Sequence, residues 1–228
     1  MFKLGNSSKM VKLADFLGVH KNEVASVDLP AGHTCPQADK CKSFADRDTG
    51  KITDGRACEF RCYAASSEAA FVNTRLLRWN NLDLLRVAKT SGAMVDVIAP
   101  SLHDKLKVVR VHSSGDFFSD AYFQAWLSVA ENFPHIFFFA YTKVLPYLKV
   151  NRPDNFDMVY SYGGKLDDLV TTEPVAYVVR SKQEAKKLRV PVSCINHPAD
   201  DYKYVKAGKS FALLLHGTQP KKKAAGIV

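Results

Sequence analysis

The sequence predicts an α/β fold, a complete or partial (β/α) barrel of mostly parallel strands. Three observations lead to this prediction. Short, almost wholly apolar segments alternate with segments of helical period, a pattern typical of a parallel sheet covered on both faces. Roughly seven such strands follow one another along the 228 residues, and each ends on polar residues. A doubly wound open sheet is the main alternative.

The composition is that of a globular chain, with 46% hydrophobic and 24% charged residues. No apolar run approaches the ~20 residues that span a bilayer, and no N-terminal signal segment is visible. We therefore expect a cytoplasmic protein without a membrane partner. The formal net charge of +9 fits an anionic partner, such as a nucleic acid or a nucleotide.

The first part of the chain is predicted to be an arm, a strand and a long loop. Residues 1–22 form the N-terminal arm, with a short helix near Val11–Leu17. Glu23–Leu29 alternates apolar and polar residues, like a first strand. The strand leads into a cysteine-rich metal loop over residues 30–65, in which Asp46–Asp54 is polar and rich in turn formers.

Residues 23–219 are predicted to form a single α/β domain that includes this loop. A basic, flexible tail is predicted to follow over residues 220–228, which contain three consecutive lysines. The tail is either a solvated end or a weak contact with nucleic acid.

A helical period begins at Ser66. It predicts one buried apolar stripe and, on another face, a basic side that is either solvated or in contact with nucleic-acid phosphates. The stripe consists of Ala69, Val72, Leu76, Trp79, Leu82 and Leu85, and the basic side of Arg75, Arg78, Arg86 and Lys89. A looser segment is expected from Gly92 to Lys107.

The remaining strands carry the candidate site at their carboxyl ends. These strands are predicted at Val108–Val111, Ile136–Ala140, Met158–Tyr160, Val175–Val179, Val190–Ser193 and Phe211–Leu215. In parallel α/β folds ligands bind at this edge of the sheet. The polar residues there give catalytic candidates, namely His112, Asp116, Tyr141 and Lys143, and cofactor-binding candidates, namely Ser114, Gly115, Asp116 and Gly163.

Four cysteines in the loop predict a metal site. Cys35, Cys41, Cys58 and Cys62 have the spacing C-x5-C-x16-C-x3-C. In a reducing compartment such a group favours metal binding over disulfides, although disulfides and plain buried thiols remain alternatives.

The spacing favours an iron–sulfur cluster, [4Fe–4S], over zinc, because the gap between Cys35 and Cys41 is wide for a zinc knuckle. Cys62 is the strongest candidate ligand, since it precedes a predicted helix whose N-terminus favours a thiolate. Cys58 and Cys194 compete for the fourth position. Four thiolates would saturate the cluster, whereas three would leave one iron open to a substrate or cofactor.

Several blocks resemble the bacteriophage gene-product-88-like family. They are Leu-Pro-Ala-Gly-His-Thr-Cys-Pro at 29–36, Glu-Phe-Arg-Cys-Tyr-Ala-Ala-Ser at 59–66, Arg-Val-His-Ser-Ser-Gly-Asp-Phe-Phe-Ser at 110–119, Phe-Ala-Tyr-Thr-Lys at 139–143 and Ser-Phe-Ala-Leu-Leu-Leu-His-Gly-Thr-Gln at 210–219. A phage origin would make the cytoplasm that of the host cell.

The order of strand, cysteine loop, helix and acidic strand end also resembles that of radical S-adenosylmethionine (SAM) enzymes. That resemblance implies SAM as a cofactor, with Ser114-Gly115-Asp116 in the place of the segment that contacts its amino group. Two departures are the absence of the compact C-x3-C-x2-C motif and the single Gly115. The expected function is an iron–sulfur phage protein with a radical SAM-like barrel, acting on a nucleotide or nucleic acid. The alternative is a non-catalytic iron–sulfur or zinc protein that binds nucleic acid or a host protein.

Overall fold

A computed structural model describes residues 1–193 and 199–219. Cys194 and the predicted basic tail at 220–228 lie outside the described residues. None of the helices in the described ranges is long and apolar enough to cross a membrane.

Seven parallel strands form one sheet that curls into a half-barrel, which confirms the α/β class and the partial barrel. The spatial order of the strands is β1-β4-β5-β6-β7-β9-β8. Their bounds are β1 Val24–Asp28, β4 Val108–Ser114, β5 Phe137–Thr142, β6 Phe156–Ser161, β7 Val175–Val179, β8 Val192–Ser193 and β9 Phe211–Leu214. The carboxyl ends of all seven lie along one edge, because every pair is parallel.

Eight α-helices accompany the sheet in the described residues. They are α1 Ser8–Leu17, α2 Tyr63–Ala70, α3 Val72–Ala88, α4 Ser91–Ile98, α5 Asp120–Asn132, α6 Leu145–Leu148, α7 Lys182–Lys187 and α8 Ala199–Lys206. Helix α4 lies in the segment predicted to be loose, where the Thr90 side chain caps its first turn.

The strands are largely apolar because both faces of the sheet are buried. On one face, Val109, Val111 and Phe138 pack in the core that contains Trp126 of α5. On the other face, Val108 and Phe139 pack in the core that contains Met10 of α1. Alternate residues of a strand point to opposite faces, so each short run supplies both cores.

The cysteine loop contains an antiparallel hairpin that its polar composition concealed. Strands β2 Ser43–Ala45 and β3 Ile52–Asp54 pair in it. The Asp46 carboxylate accepts hydrogen bonds from the backbone N–H and the hydroxyl of Thr49 and so closes the turn. The loop is thereby a folded unit beyond the end of β1.

The predicted faces of the helix after Ser66 are wrong in part. The chain breaks between α2 and α3 at Phe71, so one continuous stripe does not form. Val72 and Leu76 are each 54% exposed, whereas Arg75 and Arg78 are each only 4% exposed. The two arginines are buried because their guanidinium groups donate to carbonyl oxygens of α2 and the loop, including Glu68 O and Ala64 O.

Candidate functional site

A cavity lies at the carboxyl edge of the sheet, between the strand ends and the cysteine loop. It contains about 940 Å³ of empty space, its open mouth included. Its wall brings together three of the four loop cysteines and most of the polar residues predicted for the site. Among the lining residues are Cys35, Cys41, Cys62, Arg110, His112, Ser114, Gly115, Asp116, Tyr141, Lys143, Tyr162 and His216.

The three cavity cysteines lie within electrostatic reach of one another. Burial raises the pKa of the Cys35 thiol well above its ordinary value, and Asp116, Cys62 and Cys41 add to the rise. Burial also raises the pKa of the Cys62 thiol, to about 11, with a further contribution from Cys41. Burial is also the main cause that raises the pKa of Cys41, whereas the charge of Lys143 lowers this pKa.

Cys62 occupies the N-cap position of α2. The backbone N–H groups of Ala64 and Ala65 lower its pKa and so oppose part of the effect of burial. This is the predicted helix N-terminus effect, in which the first backbone N–H groups of a helix favour a thiolate.

Cys58 does not line the cavity. Its Sγ donates a hydrogen bond to the Phe60 carbonyl oxygen at 3.1 Å and lies 3.6 Å from Ser43 Oγ. Cys58 is thus the loop thiol outside the cavity lining, although it lies within electrostatic reach of Cys41. All four loop thiols are free of disulfide bonds.

Within the described ranges, no three His, Cys, Asp or Glu side chains converge closely enough to hold a metal ion. The predicted cysteine-rich metal loop therefore has no ready-made site for a single ion in these residues. Thiolates of a cubane bind different irons, however, and so stand farther apart than thiolates that share one zinc.

Asp116 joins the ends of two neighbouring strands. Its Oδ1 accepts hydrogen bonds from the Phe117 backbone N–H and the Thr142 hydroxyl, both at 2.7 Å. Its Oδ2 accepts from the Lys143 backbone N–H at 2.8 Å. Burial raises the pKa of this carboxyl group, and these hydrogen bonds oppose the rise.

Lys143 is held by neutral acceptors. Its Nζ donates to the carbonyl oxygens of Ser161 and Tyr162, at 2.9 and 3.0 Å, and to Ser161 Oγ at 2.7 Å. No carboxylate pairs with it among the ion pairs of the described chain. Its ammonium group is thus fixed in position, within electrostatic reach of Cys41.

The predicted cofactor-binding residues divide between two places. Ser114 lines the cavity, and its hydroxyl donates to Leu29 O at 2.8 Å. Gly115 also lines it, with φ +92. Gly163 lies outside the cavity lining, and its carbonyl accepts the backbone N–H groups of Asp39 and Lys40, so it anchors the cysteine loop instead.

His112 and Tyr141 are both buried in the cavity wall. His112 has φ +70 where the register of β4 shifts against β1, and its Nε2 lies 3.1 Å from the Tyr122 hydroxyl. Burial, followed by the charge of Arg110, lowers the pKa of His112 to about 3. The imidazole is therefore neutral at physiological pH.

The sequence of this chain matches the model of one known protein family over almost its whole length. The model of the gene product 88 family matches residues 2–227. The chain belongs to this family. Two curated relatives, the Gene 88 proteins of mycobacterium phages L5 and D29, are each 30% identical to it over 149 residues. Those alignments cover 60% of this chain and 56% and 55% of the two relatives, respectively.

The family assignment confirms the gene-product-88 resemblance. The chain spans a little over half the length of the curated relatives that it matches. No solved structure matches the chain, and the resemblance to radical SAM enzymes stays a prediction.

One of the blocks that resemble the family connects the end of β9 with the cysteine loop. After β9, residues 215–219 run back to the cysteine loop, where the Arg61 backbone N–H donates to Gln219 Oε1 at 2.8 Å. Gln219 Nε2 donates in return to Arg61 O at 3.1 Å. The His216 ring packs against Tyr63, with 5.2 Å between ring centroids. This segment ties the last strand to the start of α2.

Sequence reasoning missed Arg110, which lines the cavity. A signal was present, because Arg110 interrupts the apolar run Val-Val-Arg-Val of β4. A charged side chain in a strand that is covered on both faces costs free energy unless it has a partner.

Proposed function

We propose that this chain binds a [4Fe–4S] cluster through Cys35, Cys41 and Cys62, with one iron left open to a ligand in the cavity. The observation that carries the proposal is that these three thiols line the cavity whereas Cys58 does not. A three-thiolate ligand set is one of the two that the sequence left open.

The surroundings of the thiols suit anionic sulfur once metal is bound. The Lys143 charge lowers the pKa of both Cys41 and Cys62, and the N-terminus of α2 acts on Cys62 in the same direction. Burial acts against ionisation, so the metal-free thiols are protonated at neutral pH and loading must release protons. Zinc is the weaker candidate, because no three side chains in the described residues converge on a single ion.

The bound cluster would supply an open coordination site or an electron, and the chain's own residues would position the ligand. Among the described residues, Asp116 Oδ2 accepts one of the two hydrogen bonds within its capacity, which leaves room for an ammonium or hydroxyl group. We propose an enzyme whose cavity takes SAM or a nucleotide, with Asp116 and the neutral His112 as the polar contacts.

The proposal is tested by anaerobic purification of the full chain, followed by iron and acid-labile sulfide analysis. We expect about four of each per chain, with loss in the Cys35→Ala, Cys41→Ala and Cys62→Ala variants. Cys58→Ala is the matched control and keeps its cluster. Addition of SAM or a nucleotide is then expected to change the electron paramagnetic resonance spectrum of the reduced protein.

Two results would contradict the proposal. Equal loss of iron in Cys58→Ala would mean a saturated four-thiolate site, and stoichiometric zinc without sulfide would mean a different centre. A spectrum indifferent to SAM and to every nucleotide tried would remove the enzymatic part and leave the non-catalytic cluster protein.

We rank nucleic acid below a small ligand as the partner. Arg75 and Arg78, two of the four basic residues predicted on one helix face, are buried and bound to carbonyl oxygens. The test is DNA and RNA binding at low salt, and strong salt-dependent binding would reverse the ranking.

A further inference from the structure

The Arg110 side chain faces the cavity without a partner of its own. Its Nε is buried and makes no hydrogen bond. None of the ion pairs in the described part of the chain includes it. The guanidinium carbon lies 4.6 Å from the centroid of the Tyr141 ring, which holds the planar group from one side.

Two further polar atoms of the same cavity wall also lack partners. His112 Nδ1 is buried without a hydrogen bond, and the Tyr141 hydroxyl makes none of ordinary geometry, although Asp201 lies near it. Buried polar groups in folded proteins are nearly always hydrogen-bonded. Three of the eight buried side-chain atoms without such a bond in the described residues belong to side chains that line this one cavity.

The nearby carboxylates do not neutralise Arg110 by contact. Asp28 and Asp201 act on it electrostatically. Asp201 already binds Lys9 and the Ser193 hydroxyl, and the Ser26 hydroxyl donates to Asp28 Oδ2 at 3.4 Å. The other unpaired cation of the cavity, Lys143, is the one that acts on Cys41 and Cys62.

We infer that Arg110 anchors an anionic group, a carboxylate or a phosphate, of the molecule that occupies the cavity. A guanidinium presents a planar fork of N–H donors that matches both groups. The Tyr141 ring, on which the guanidinium lies, and the His112 side chain line the same cavity. This inference deepens the proposed function and rests on it in one respect: the anion lies in the same cavity as the open iron.

The test compares probes that differ in an anionic group. Isothermal titration calorimetry is carried out on the full chain with adenosine 5′-monophosphate against adenosine, for phosphate. For carboxylate, S-adenosylhomocysteine is compared with its α-carboxamide, which keeps the ammonium group, and inorganic phosphate is titrated alone. The anionic member of at least one pair binds more tightly, and the pair that responds identifies the group.

Arg110→Gln removes the guanidinium charge, and Arg61→Gln is the matched control. Arg61 lines the same cavity, but its Nη2 pairs with Asp54 at 2.9 Å. We expect Arg110→Gln to weaken the anionic probe by about 10-fold or more and the neutral probe little. We expect Arg110→Lys to fall between, and Arg61→Gln to keep the preference for the anion.

The inference is overturned if Arg110→Gln keeps the anion preference, if Arg61→Gln loses it equally, or if no anionic probe binds better than its neutral counterpart. Iron and sulfide content are measured in the same samples. A normal cluster without anion preference rejects only the role of Arg110, whereas anion preference without a cluster rejects only the iron–sulfur proposal.

A second readout separates a binding role from a structural one. Thermal unfolding of the ligand-free Arg110→Met variant is expected near the wild-type midpoint, because Arg110 Nε makes no hydrogen bond and no ion pair in the described residues includes this side chain. A midpoint well below that of the wild type would make Arg110 a structural residue and would contradict the inference.

Discussion

At the scale of single residues, Gly115 is the point at which the end of β4 packs closely against the cysteine loop. It has φ +92, and a Cβ atom there would lie 2.6 Å from Thr34 Oγ1 and 2.8 Å from Leu29 Cβ. Thr34 is buried and its hydroxyl donates to Pro30 O at 2.8 Å. Because Thr34 precedes Cys35, a side chain at position 115 would displace the loop next to Cys35 and so move its thiol.

Gly115→Ala is therefore expected to lower the free energy of unfolding by about 2 kcal/mol or more, and to reduce iron loading. The matched control is Gly92→Ala in α4, where a Cβ meets no atom within 4 Å. That substitution should stabilise the protein by ~0.5–1 kcal/mol, since alanine is the better helix former. Urea unfolding of both variants checks the prediction, and equal effects would contradict it.

The neutral state of His112 predicts a pH dependence of stability. Its folded-state pKa of about 3 lies below the ordinary value of 6.5. Between these values the unfolded chain binds a proton that the folded chain does not, so stability falls as the pH falls. Burial raises the pKa values of Asp28 and Asp116, and these two groups make the stability rise as the pH falls. The effect of His112 is therefore measured as a difference between the wild type and a variant.

His112→Asn is the informative variant, because asparagine tolerates positive φ. Between pH 7 and pH 4.5 the wild type should lose about 2 kcal/mol more of its free energy of unfolding than His112→Asn does. His103→Asn, at an exposed position, should follow the wild type. If the curves of His112→Asn and the wild type are parallel, His112 is not the buried neutral group described above.

At the scale of elements, the contacts between α2 and α3 hold the cysteine loop in place. Glu68 of α2 is fully buried, and its Oε1 accepts hydrogen bonds from the Ala31 backbone N–H and from Arg78 Nη1, each at 2.8 Å. Arg78 of α3 also donates to Ala64 O at 3.0 Å. One buried ion pair thus connects both helices to the start of the loop.

Arg78→Met leaves the Glu68 carboxylate buried without its cation. We expect a loss of roughly 3–5 kcal/mol in the free energy of unfolding. Arg47→Met is the control, since its pair with Asp83 is exposed, with 48% and 42% of the two side chains accessible. It should cost about 1 kcal/mol or less. Equal losses in the two variants would show that the buried pair does not connect these elements.

The same two helices show where sequence periodicity fails. A period of 3.6 residues identified the helical region, but the period cannot show the break at Phe71, which rotates the faces of the two helices relative to each other. It also placed Arg75 and Arg78 on a basic side that is solvated or in contact with nucleic-acid phosphates. The period could not show that they are buried, because the carbonyl oxygens that bind them lie in α2 and in the loop. By contrast, the strand Val175–Val179 was predicted with its observed bounds, since an apolar run between polar residues is a local signal.

At the scale of the whole molecule, the sequence predicts the parallel sheet, but it does not predict which cysteines line the cavity. Parallel strands bring their carboxyl ends to one edge, and so His112, Asp116, Tyr141 and Lys143 were predicted together and line one cavity. Which cysteines reach that cavity depends on the folding of the loop and its hairpin. The spacing of the motif therefore could not predict that Cys58 lies outside the cavity.

The central claim is that Cys35, Cys41 and Cys62, without Cys58, hold an iron–sulfur cluster at the carboxyl edge of the half-barrel. Anomalous diffraction at the iron edge, from crystals of anaerobically purified protein, tests it most directly. The claim predicts a compact iron peak in the cavity, bonded to those three Sγ atoms and to no other cysteine. A peak bonded to Cys58 Sγ as well, a zinc peak in its place, or a disulfide between two of the three cysteines would contradict it.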